Sequence, residues 1–307
     1  MNPNEISNVA ASVHQRLKNY ADHEGRTFNE VLLTYGMERF LYRLSLSPSG
    51  RRFVLKGGLM MMVWGSAVHR PTKDIDLLGH APNDPAVVAA AIQEACRQSV
   101  VDDGLTFDPE SVQATPINAA KEYEGVRVTF TGRLARAVLH MQADVGFGDV
   151  VVPPPQAIEV PSVLGFPPAR LLAYHRETLV AEKLEAMIRL DEANSRVRDF
   201  LDIWLLSRQF EFSGNALLRA VRATFTARHT VIGDNPACFT DAFGEDETRR
   251  ITWAKFLSRS QIEGAPAEFL EVVRDVAAFA EPLLEAVADD LPFEVRWLPP
   301  GPWAASA

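Results

Sequence analysis

The sequence has 307 residues, of which 47% are hydrophobic and 23% charged, which is ordinary for a globular protein of one large or two modest domains. Its formal net charge of −9 argues against tight non-specific binding to nucleic acid, but not against an RNA substrate held by a local basic patch. No apolar run is long enough to span a bilayer and Met1 to Asp22 is too polar for a signal peptide, so no membrane partner is expected.

The two cysteines, Cys96 and Cys238, are far apart in the sequence. Neither belongs to a group of cysteines and histidines at the spacing of zinc ligands. We therefore predict reduced thiols in the core of a cytoplasmic protein, and no zinc site.

Two helices are predicted before the first strand. The first is indicated by apolar residues that recur at helical spacing between Ile6 and Tyr20. The second can be capped by Thr27 or Asn29, and the Ser-Pro-Ser-Gly sequence at residues 47–50 ends it.

The stretch that follows carries the strongest functional signal. A short buried strand leads into Gly57-Gly58, where the backbone can turn and approach a ligand closely. A second strand then contains Asp74 and Asp76, whose side chains point to the same face because strand residues alternate. Two adjacent carboxylates repel each other unless a cation neutralises them, and Mg²⁺ bound to carboxylates and substrate phosphates is the usual case. Taken alone, an Asp-x-Asp pair is more often a solvated turn.

Asp144 is the third candidate carboxylate. A helix is predicted from Asp84-Pro85, because proline favours the first helical position. Alternating residues then predict strands at 105–115, at 123–130 and from Val138 onward. Aspartate is depleted inside strands, so Asp144 either caps a turn through Gly146 or, if the sheet brings it beside Asp76, completes a three-carboxylate metal site.

The hydrophobic pattern changes across two proline-rich segments, Pro153–Pro155 and Pro167-Pro168. Before them apolar residues alternate as in strands, and after them they recur at helical spacing. We predict an α/β (α+β) domain with a mixed sheet and N-terminal helices at residues 1–165, and a mostly α-helical domain at residues 166–307.

Within the second domain, Ser213 can cap a helix, and a long final helix is expected from Ala267 to Ala288. Residues 229–250 are polar and show no period, so we expect an irregular segment there. The tail after Leu291 is also expected to be irregular.

Charged residues in the helical half offer another candidate site. Lys183 is flanked by acidic residues, and its simplest interpretation is a surface ion pair along one helix. Asp199 and Asp202 are three residues apart and share a helix face, which could be a solvated face paired with Arg196 or Arg198.

Five short motifs occur in a fixed order along the chain. They are Leu55-Lys56-Gly57-Gly58, Arg70-x-Thr72-x-Asp74-Ile75-Asp76, Asp144-Val145-Gly146-Phe147-Gly148-Asp149, Ala181-Glu182-Lys183-Leu184-x-Ala186-Met187 and Arg196-x-Arg198-Asp199-x-x-Asp202. Together with a later Trp-x-x-Phe segment, they resemble the AbiEii/AbiGii toxin family of nucleotidyltransferases, which belongs to the polymerase-beta-like superfamily. That family includes the toxins of type IV toxin–antitoxin and phage-defence systems and mycobacterial toxins that modify transfer RNA.

The resemblance implies a nucleotidyltransferase-like domain followed by a helical one. It also implies Mg²⁺-dependent transfer of a nucleotide from a nucleoside triphosphate to an RNA acceptor, which we expect to be the 3′ end of transfer RNA. Such a transfer would block translation and growth. A cognate antitoxin is the further partner that the family implies.

The resemblance also implies roles for single residues. The metal ligands would be Asp74, Asp76 and Asp144. The nucleotide-binding residues would be Lys56, Gly57, Gly58 and Lys183, and the catalytic set would be Asp74, Asp76, Lys183 and Asp199. In that set Asp199 would either orient Lys183, the role we favour, or accept the proton of the acceptor. Many members carry Ser or Thr directly after the glycine pair, where this chain has Leu59. Phosphate binding must then use backbone amides and lysines.

Three other functions are open on the sequence alone. One is a small-molecule nucleotidyltransferase of the aminoglycoside-modifying kind, since a negative net charge suits a cationic acceptor. Another is transfer to a protein acceptor. The last is a non-catalytic module that binds an antitoxin, against which the intact Asp74, Asp76, Lys183 and Asp199 argue.

Overall fold

The computed structural model describes residues 8–66, 72–117, 124–260, 262 and 264–305. The chain divides into two compact units. The first contains the described residues up to Trp64, those between Pro71 and Gly148, and Gln156–Ala173. The second contains Gly65, Ser66, Asp149–Pro155 and the chain from Tyr174 onward. A mixed sheet with helices in the first unit and mostly helices in the second confirm the predicted fold class.

The first unit is built from an α/β set of elements. Its helices are α1 (Val9–His23), α2 (Phe28–Leu46), α3 (Leu59–Val63) and α4 (Pro85–Cys96). Its strands are β1 (Phe53–Lys56), β2 (Ile75–Gly79), β3 (Leu105–Ile117), β4 (Gly125–Leu134), β5 (Ala137–Phe147), β6 (Gln156–Val160) and β7 (Ala169–Ala173).

These strands form one seven-stranded sheet in the order β3-β4-β5-β2-β1-β7-β6. Two pairs, β2 with β5 and β1 with β7, are parallel, and the other neighbours are antiparallel. The strands β5, β2 and β1 lie next to one another in the middle of the sheet. This order brings together chain segments that are far apart in the sequence.

Helix starts in this unit follow the predicted capping residues. The Thr27 hydroxyl accepts a hydrogen bond from the backbone N–H of Glu30 at 3.3 Å, which confirms one of the two proposed caps. The Asp84 carboxylate accepts from Ala86 N–H at 2.8 Å, just before the helix that begins at Pro85. Ile6, Arg70 and residue 123 of the expected elements lie outside the described residues.

Helix α2 is the central helix of the first core. Phe40 packs against the rings of Phe107 and Phe130, at centroid distances of 5.7 and 4.6 Å. Its charged residues are buried as pairs: the Arg43 guanidinium donates to both oxygens of Asp103, at 2.7 and 2.9 Å. Buried charges are tolerated when they are paired in this way.

The second unit is mostly helical. Its helices are α5 (Arg176–Leu190), α6 (Val197–Gln209), α7 (Gly214–Ala227), α8 (Asp241–Glu245), α9 (Glu247–Ser260) and α10 (Phe269–Ala288). Ser213 caps α7 through a 3.4 Å hydrogen bond from Ala216 N–H, as predicted. Its short strands are β8 (Phe212–Ser213), β9 (Val295–Trp297) and β10 (Trp303–Ala305), which pair in the order β10-β9-β8.

Two predictions about this unit were wrong. Residues 229–250 contain helix α8 and the start of α9, with the Thr240 hydroxyl accepting from Phe243 N–H at 3.3 Å. The tail is ordered by aromatic residues: the indole N–H of Trp297 donates to the Ser207 carbonyl at 2.6 Å, and that of Trp303 to the Phe279 carbonyl at 2.9 Å. Helix α8 and strands β9 and β10 have only three to five residues, which is too short to leave a readable period.

Both cysteines are free and buried, as predicted. Burial is the largest cause that raises the pKa of each thiol, Cys96 and Cys238, to about 12. Among the described residues, no helix combines the length and apolar character needed to cross a membrane.

Candidate active site

Three carboxylates meet at the middle of the sheet. One oxygen from each of Asp74, Asp76 and Asp144 lies within 4.8 Å of the other two. The parallel pairing of β2 with β5 places Asp76 directly beside Asp144, and Asp74 immediately precedes β2. Asp144 is 4% exposed, whereas the other two are half-buried. Three carboxylates at this separation are a donor set that suits a hard divalent cation such as Mg²⁺.

Asp144 is held by side chains of its own strand and of its neighbour. Arg127 lies opposite it on β4 and donates through Nε to Oδ1 at 2.9 Å and through Nη2 to Oδ2 at 2.7 Å. The Gln142 amide lies 3.3 Å from both oxygens. The carboxylate therefore serves this cluster rather than a turn at Gly146. Nothing in the sequence distinguishes Arg127 from the other residues of its alternating strand.

The glycine pair lies against the carboxylates. Gly57 has a φ of +69°, which favours glycine, and a Cβ built on it would stand 1.9 Å from Oδ2 of Asp76. Gly58 follows at the cap position of α3, and the side chain of Leu59 is buried in the core. The turn thus brings the backbone of Gly57 so close to Asp76 that residue 57 has no space for a side chain.

Lys56 ends the strand before this turn. The antiparallel pairing of β1 with β2 sets Lys56 opposite Asp76. The register therefore adds a cationic residue to the carboxylate neighbourhood. The sequence had indicated Lys56 only through its position in the glycine motif.

Lys183 and the two aspartates of α6 form a second cluster. The ammonium of Lys183 lies 2.6 Å from Oδ1 of Asp199 and 2.8 Å from Oδ2 of Asp202. The lysine side chain is 11% exposed, and the aspartate side chains are 5% and 0% exposed. Arg196 adds a contact of 2.6 Å to Oδ2 of Asp199. The interpretation of Lys183 as part of a surface pair was therefore wrong, and the aspartates are buried rather than solvated, but the predicted pairing with Arg196 is confirmed for Asp199.

The acidic residues that flank Lys183 turn to another partner. Arg228 contacts Glu185 at 2.7 Å, Asp149 at 2.8 Å and Glu182 at 3.6 Å. Burial by itself lowers the pKa of the Arg228 guanidinium, but Glu182 and Asp149 outweigh it and raise that pKa above its ordinary value. Glu182 and Glu185 therefore pair with Arg228, while Lys183 pairs with the aspartates of α6.

Helix α9 contributes a basic surface. Two of its four basic residues, Arg249 and Arg250, contact Asp246 and Glu268, and Trp253 is its buried residue. The Trp253 indole donates to the Pro266 carbonyl at 3.0 Å, which anchors the helix. On the outside, the Arg198 guanidinium lies over the Phe256 ring at 5.6 Å, and Lys255 and Arg259 are exposed.

Clustered carboxylates on a mixed sheet, beside a glycine turn, are the arrangement expected of a nucleotidyltransferase. The profile described as "Nucleotidyl transferase AbiEii toxin, Type IV TA system" matches residues 39–281, which is more than half of the chain. The chain belongs to this family.

The fold of the chain is similar to that of a solved nucleotidyltransferase toxin. MenT4, a nucleotidyltransferase toxin of Mycobacterium tuberculosis, aligns with a TM-score of 0.59 at 16% identity, over 91% of this chain and 93% of its own. JHP933 of Helicobacter pylori aligns with a TM-score of 0.47 at 12% identity, over 93% of this chain and 96% of its own. No curated protein sequence matches the chain.

Proposed function

We propose that this protein is an Mg²⁺-dependent toxin that transfers a nucleotide from a nucleoside triphosphate to RNA, with the 3′ end of transfer RNA as acceptor. The observation that carries the proposal is the cluster of Asp74, Asp76 and Asp144 against the turn at Gly57. Membership of the family supplies the reaction class and the toxin context, including a cognate antitoxin.

The metal part of the proposal is supported by the donor chemistry. Asp74, Asp76 and Asp144 would hold Mg²⁺, since all three offer hard oxygen ligands within 4.8 Å of one another. Bound there, the ion would stabilise the charge that develops on the transferring phosphate. The turn at Gly57-Gly58 lies directly against the Asp76 carboxylate, and Lys56, opposite Asp76 on the neighbouring strand, is a cation for phosphate oxygens beside the proposed metal site.

The chemistry of the transfer is a single displacement. An acceptor hydroxyl gives up its proton to solvent water as its oxygen forms a bond to the α-phosphorus. The bond from that phosphorus to the β-phosphate oxygen breaks, and pyrophosphate leaves with that oxygen. The protein contributes position and charge rather than a covalent intermediate.

Lys183 is proposed as the residue that binds the triphosphate. An ammonium is a suitable point charge for phosphate oxygens. Contacts of 2.6 and 2.8 Å with Asp199 and Asp202 fix its position, which supports an orienting role for Asp199. Asp199 also contacts Arg196 at 2.6 Å, so its carboxylate is held between two cations.

Helix α9 supports RNA as the acceptor. A chain with a net charge of −9 needs a local basic surface for RNA, and Lys255, Arg259 and Arg198 supply one. Phe256 under Arg198 adds an aromatic surface. Cations interleaved with an aromatic ring are the usual elements of single-strand recognition.

The negative net charge favours one competing function, transfer to a cationic small molecule. Both functions are tested by incubating the protein with each labelled triphosphate and Mg²⁺, in the presence of total cellular RNA, cellular protein or an aminoglycoside. We expect label in RNA of transfer-RNA size and release of pyrophosphate, and none with an Asp76→Asn variant. Label that enters only the aminoglycoside or protein would overturn the choice of acceptor.

A further inference from the structure

Arg127 contacts the carboxylate cluster, and the proposed mechanism gives it no role. Asp144 is the most buried of the three carboxylates, with a side chain that is 5% exposed, and Arg127 is 39% exposed. The arginine grips both carboxylate oxygens, at 2.9 and 2.7 Å. Gln142 reaches both oxygens from two residues earlier on the same strand, at 3.3 Å.

This contact has a defined geometry. A guanidinium is a planar fork that meets a carboxylate through two parallel hydrogen bonds, so it fixes the plane of the carboxylate as well as its position. The cross-strand register of Arg127 with Asp144 holds the fork in place. A carboxylate offers about four acceptor sites, so the bonds from Arg127 leave others on the same oxygens for a cation.

We propose that Arg127 is a positioning residue for the metal site: it holds the Asp144 carboxylate in the orientation that a divalent cation needs. The inference rests on the proposed metal site and deepens it. Arg127 acts through Asp144 and offsets part of the repulsion among the carboxylates before the cation binds. Substituting a residue that orients a metal ligand in this way typically lowers metal affinity by about 10–100-fold.

A rival explanation makes the opposite prediction. If Arg127 only compensated the charge of a buried carboxylate, its removal would make the cluster more negative and would tighten cation binding. If it positions Asp144, its removal weakens binding. Replacement by lysine separates the two further, because lysine keeps the charge and cannot form the fork.

The experiment measures Mn²⁺ binding to the full chain by titration calorimetry and by electron paramagnetic resonance, without nucleotide. The variants are Arg127→Met and Arg127→Lys, with Arg133→Met as the matched control, because Arg133 is an exposed arginine on the same strand. Asp76→Asn serves as the reference for a lost ligand. Thermal unfolding with a chelator establishes that each variant is folded.

We expect both Arg127 variants to bind Mn²⁺ about 10–100-fold more weakly than the wild type, and Arg133→Met to bind as the wild type does. Equal or tighter binding by Arg127→Met, or full recovery in Arg127→Lys, would overturn the positioning role while leaving the metal site intact. If Asp76→Asn binds Mn²⁺ as well as the wild type does, the proposed metal site itself fails. Should Arg127→Met not fold, the lysine variant decides.

Discussion

The two charged clusters are built on opposite principles. In the sheet, Asp74, Asp76 and Asp144 bring three negative charges within 4.8 Å. In the helical unit, Asp199 and Asp202 are matched by Lys183 and Arg196 at 2.6 to 2.8 Å. In the first cluster Arg127 pairs with Asp144, and three carboxylate oxygens still converge where an added cation could bind. In the second, both aspartates contact Lys183, whose ammonium is held in a fixed place.

The two clusters differ in what their charges favour. A surplus of carboxylates is costly until a cation arrives, so such a cluster favours metal binding over stability. A balanced buried cluster favours a defined geometry, since every charge has a partner. Substitutions should therefore act mainly on activity in the sheet and on both stability and binding in the helices.

The largest effect is expected from Asp76→Asn. Losing a metal ligand should lower nucleotidyl transfer by roughly 10³-fold, or about 4 kcal/mol, because the transferring phosphate loses charge stabilisation. The metal-free variant should be at least as stable as the wild type, since repulsion is relieved. Thermal unfolding with and without Mg²⁺ checks this: the ion should raise the melting temperature of the wild type only. Normal turnover in the variant would remove the sheet cluster from the mechanism.

The next effect is expected from Lys183→Met. The variant removes the ammonium that contacts both Asp199 and Asp202, and these two aspartates stay buried. Removing one partner of a buried ion pair typically lowers the free energy of unfolding by about 3–5 kcal/mol. Urea unfolding measures the loss, with Lys255→Met as the matched control, because Lys255 is exposed and its removal should change stability by less than about 0.5 kcal/mol.

A double variant separates the structural role of Lys183 from its proposed binding role. Lys183→Met with Asp202→Asn should recover part of the lost stability, because one buried charge is removed together with its partner. Triphosphate binding should stay lost, as calorimetry with a non-hydrolysable triphosphate can show. Recovery of both properties would mean that the lysine serves the fold alone.

The members of both clusters were recognisable in the sequence, but their pairing was not. The period of a strand is enough to put Asp74 and Asp76 on one face. The partnership of Arg127 with Asp144 depends on register, which is set by the two-residue connection between Leu134 and Ala137. That connection, Ala135-Arg136, lacks the Asn-Gly or Gly signal that makes tight hairpins recognisable, although Ala135 has a φ of +51°.

The burial of Lys183 was hidden for a different reason. Charged residues on a helix are mostly solvated, so the sequence favoured a surface pair. Helix packing reversed this by bringing α5 and α6 together through a short connection that includes a 3₁₀ turn at Asp191–Ala193. Contacts between helices depend on packing that no single-helix period encodes.

A smaller effect sharpens the account of the sheet cluster. Gly57→Ala should lose about 1–3 kcal/mol from overpacking against Asp76, beyond the backbone strain of a positive φ. Gly165→Ala is the matched control, because Gly165 has a φ of +74° and nothing within 4 Å of an added Cβ. Urea unfolding of the pair gives the difference, and transfer should fall only in Gly57→Ala. Equal losses of unfolding free energy in the two variants would show that the Asp76 side chain moves aside without destabilising the fold.

The smallest effect concerns the acceptor, and it tests whether the helical unit does more than hold Lys183. Lys255→Gln with Arg259→Gln removes two exposed cations from α9. We expect the KM for RNA to rise about 10-fold and the KM for the triphosphate to stay constant, because backbone contacts to RNA depend on charge.

The salt dependence of that variant gives the sharper measurement. Each phosphate contact on a single strand contributes about 0.7 to the slope of log affinity against log salt, so losing two should flatten the slope by about 1.4. The matched control is Arg219→Gln with Arg296→Gln, which removes the same charge from exposed residues elsewhere in the unit. An equal change of slope in the control would show that α9 affects RNA binding only through the net charge of the protein. No change in either would place the acceptor elsewhere, and the balanced cluster would then stand as the contribution of the helices to catalysis.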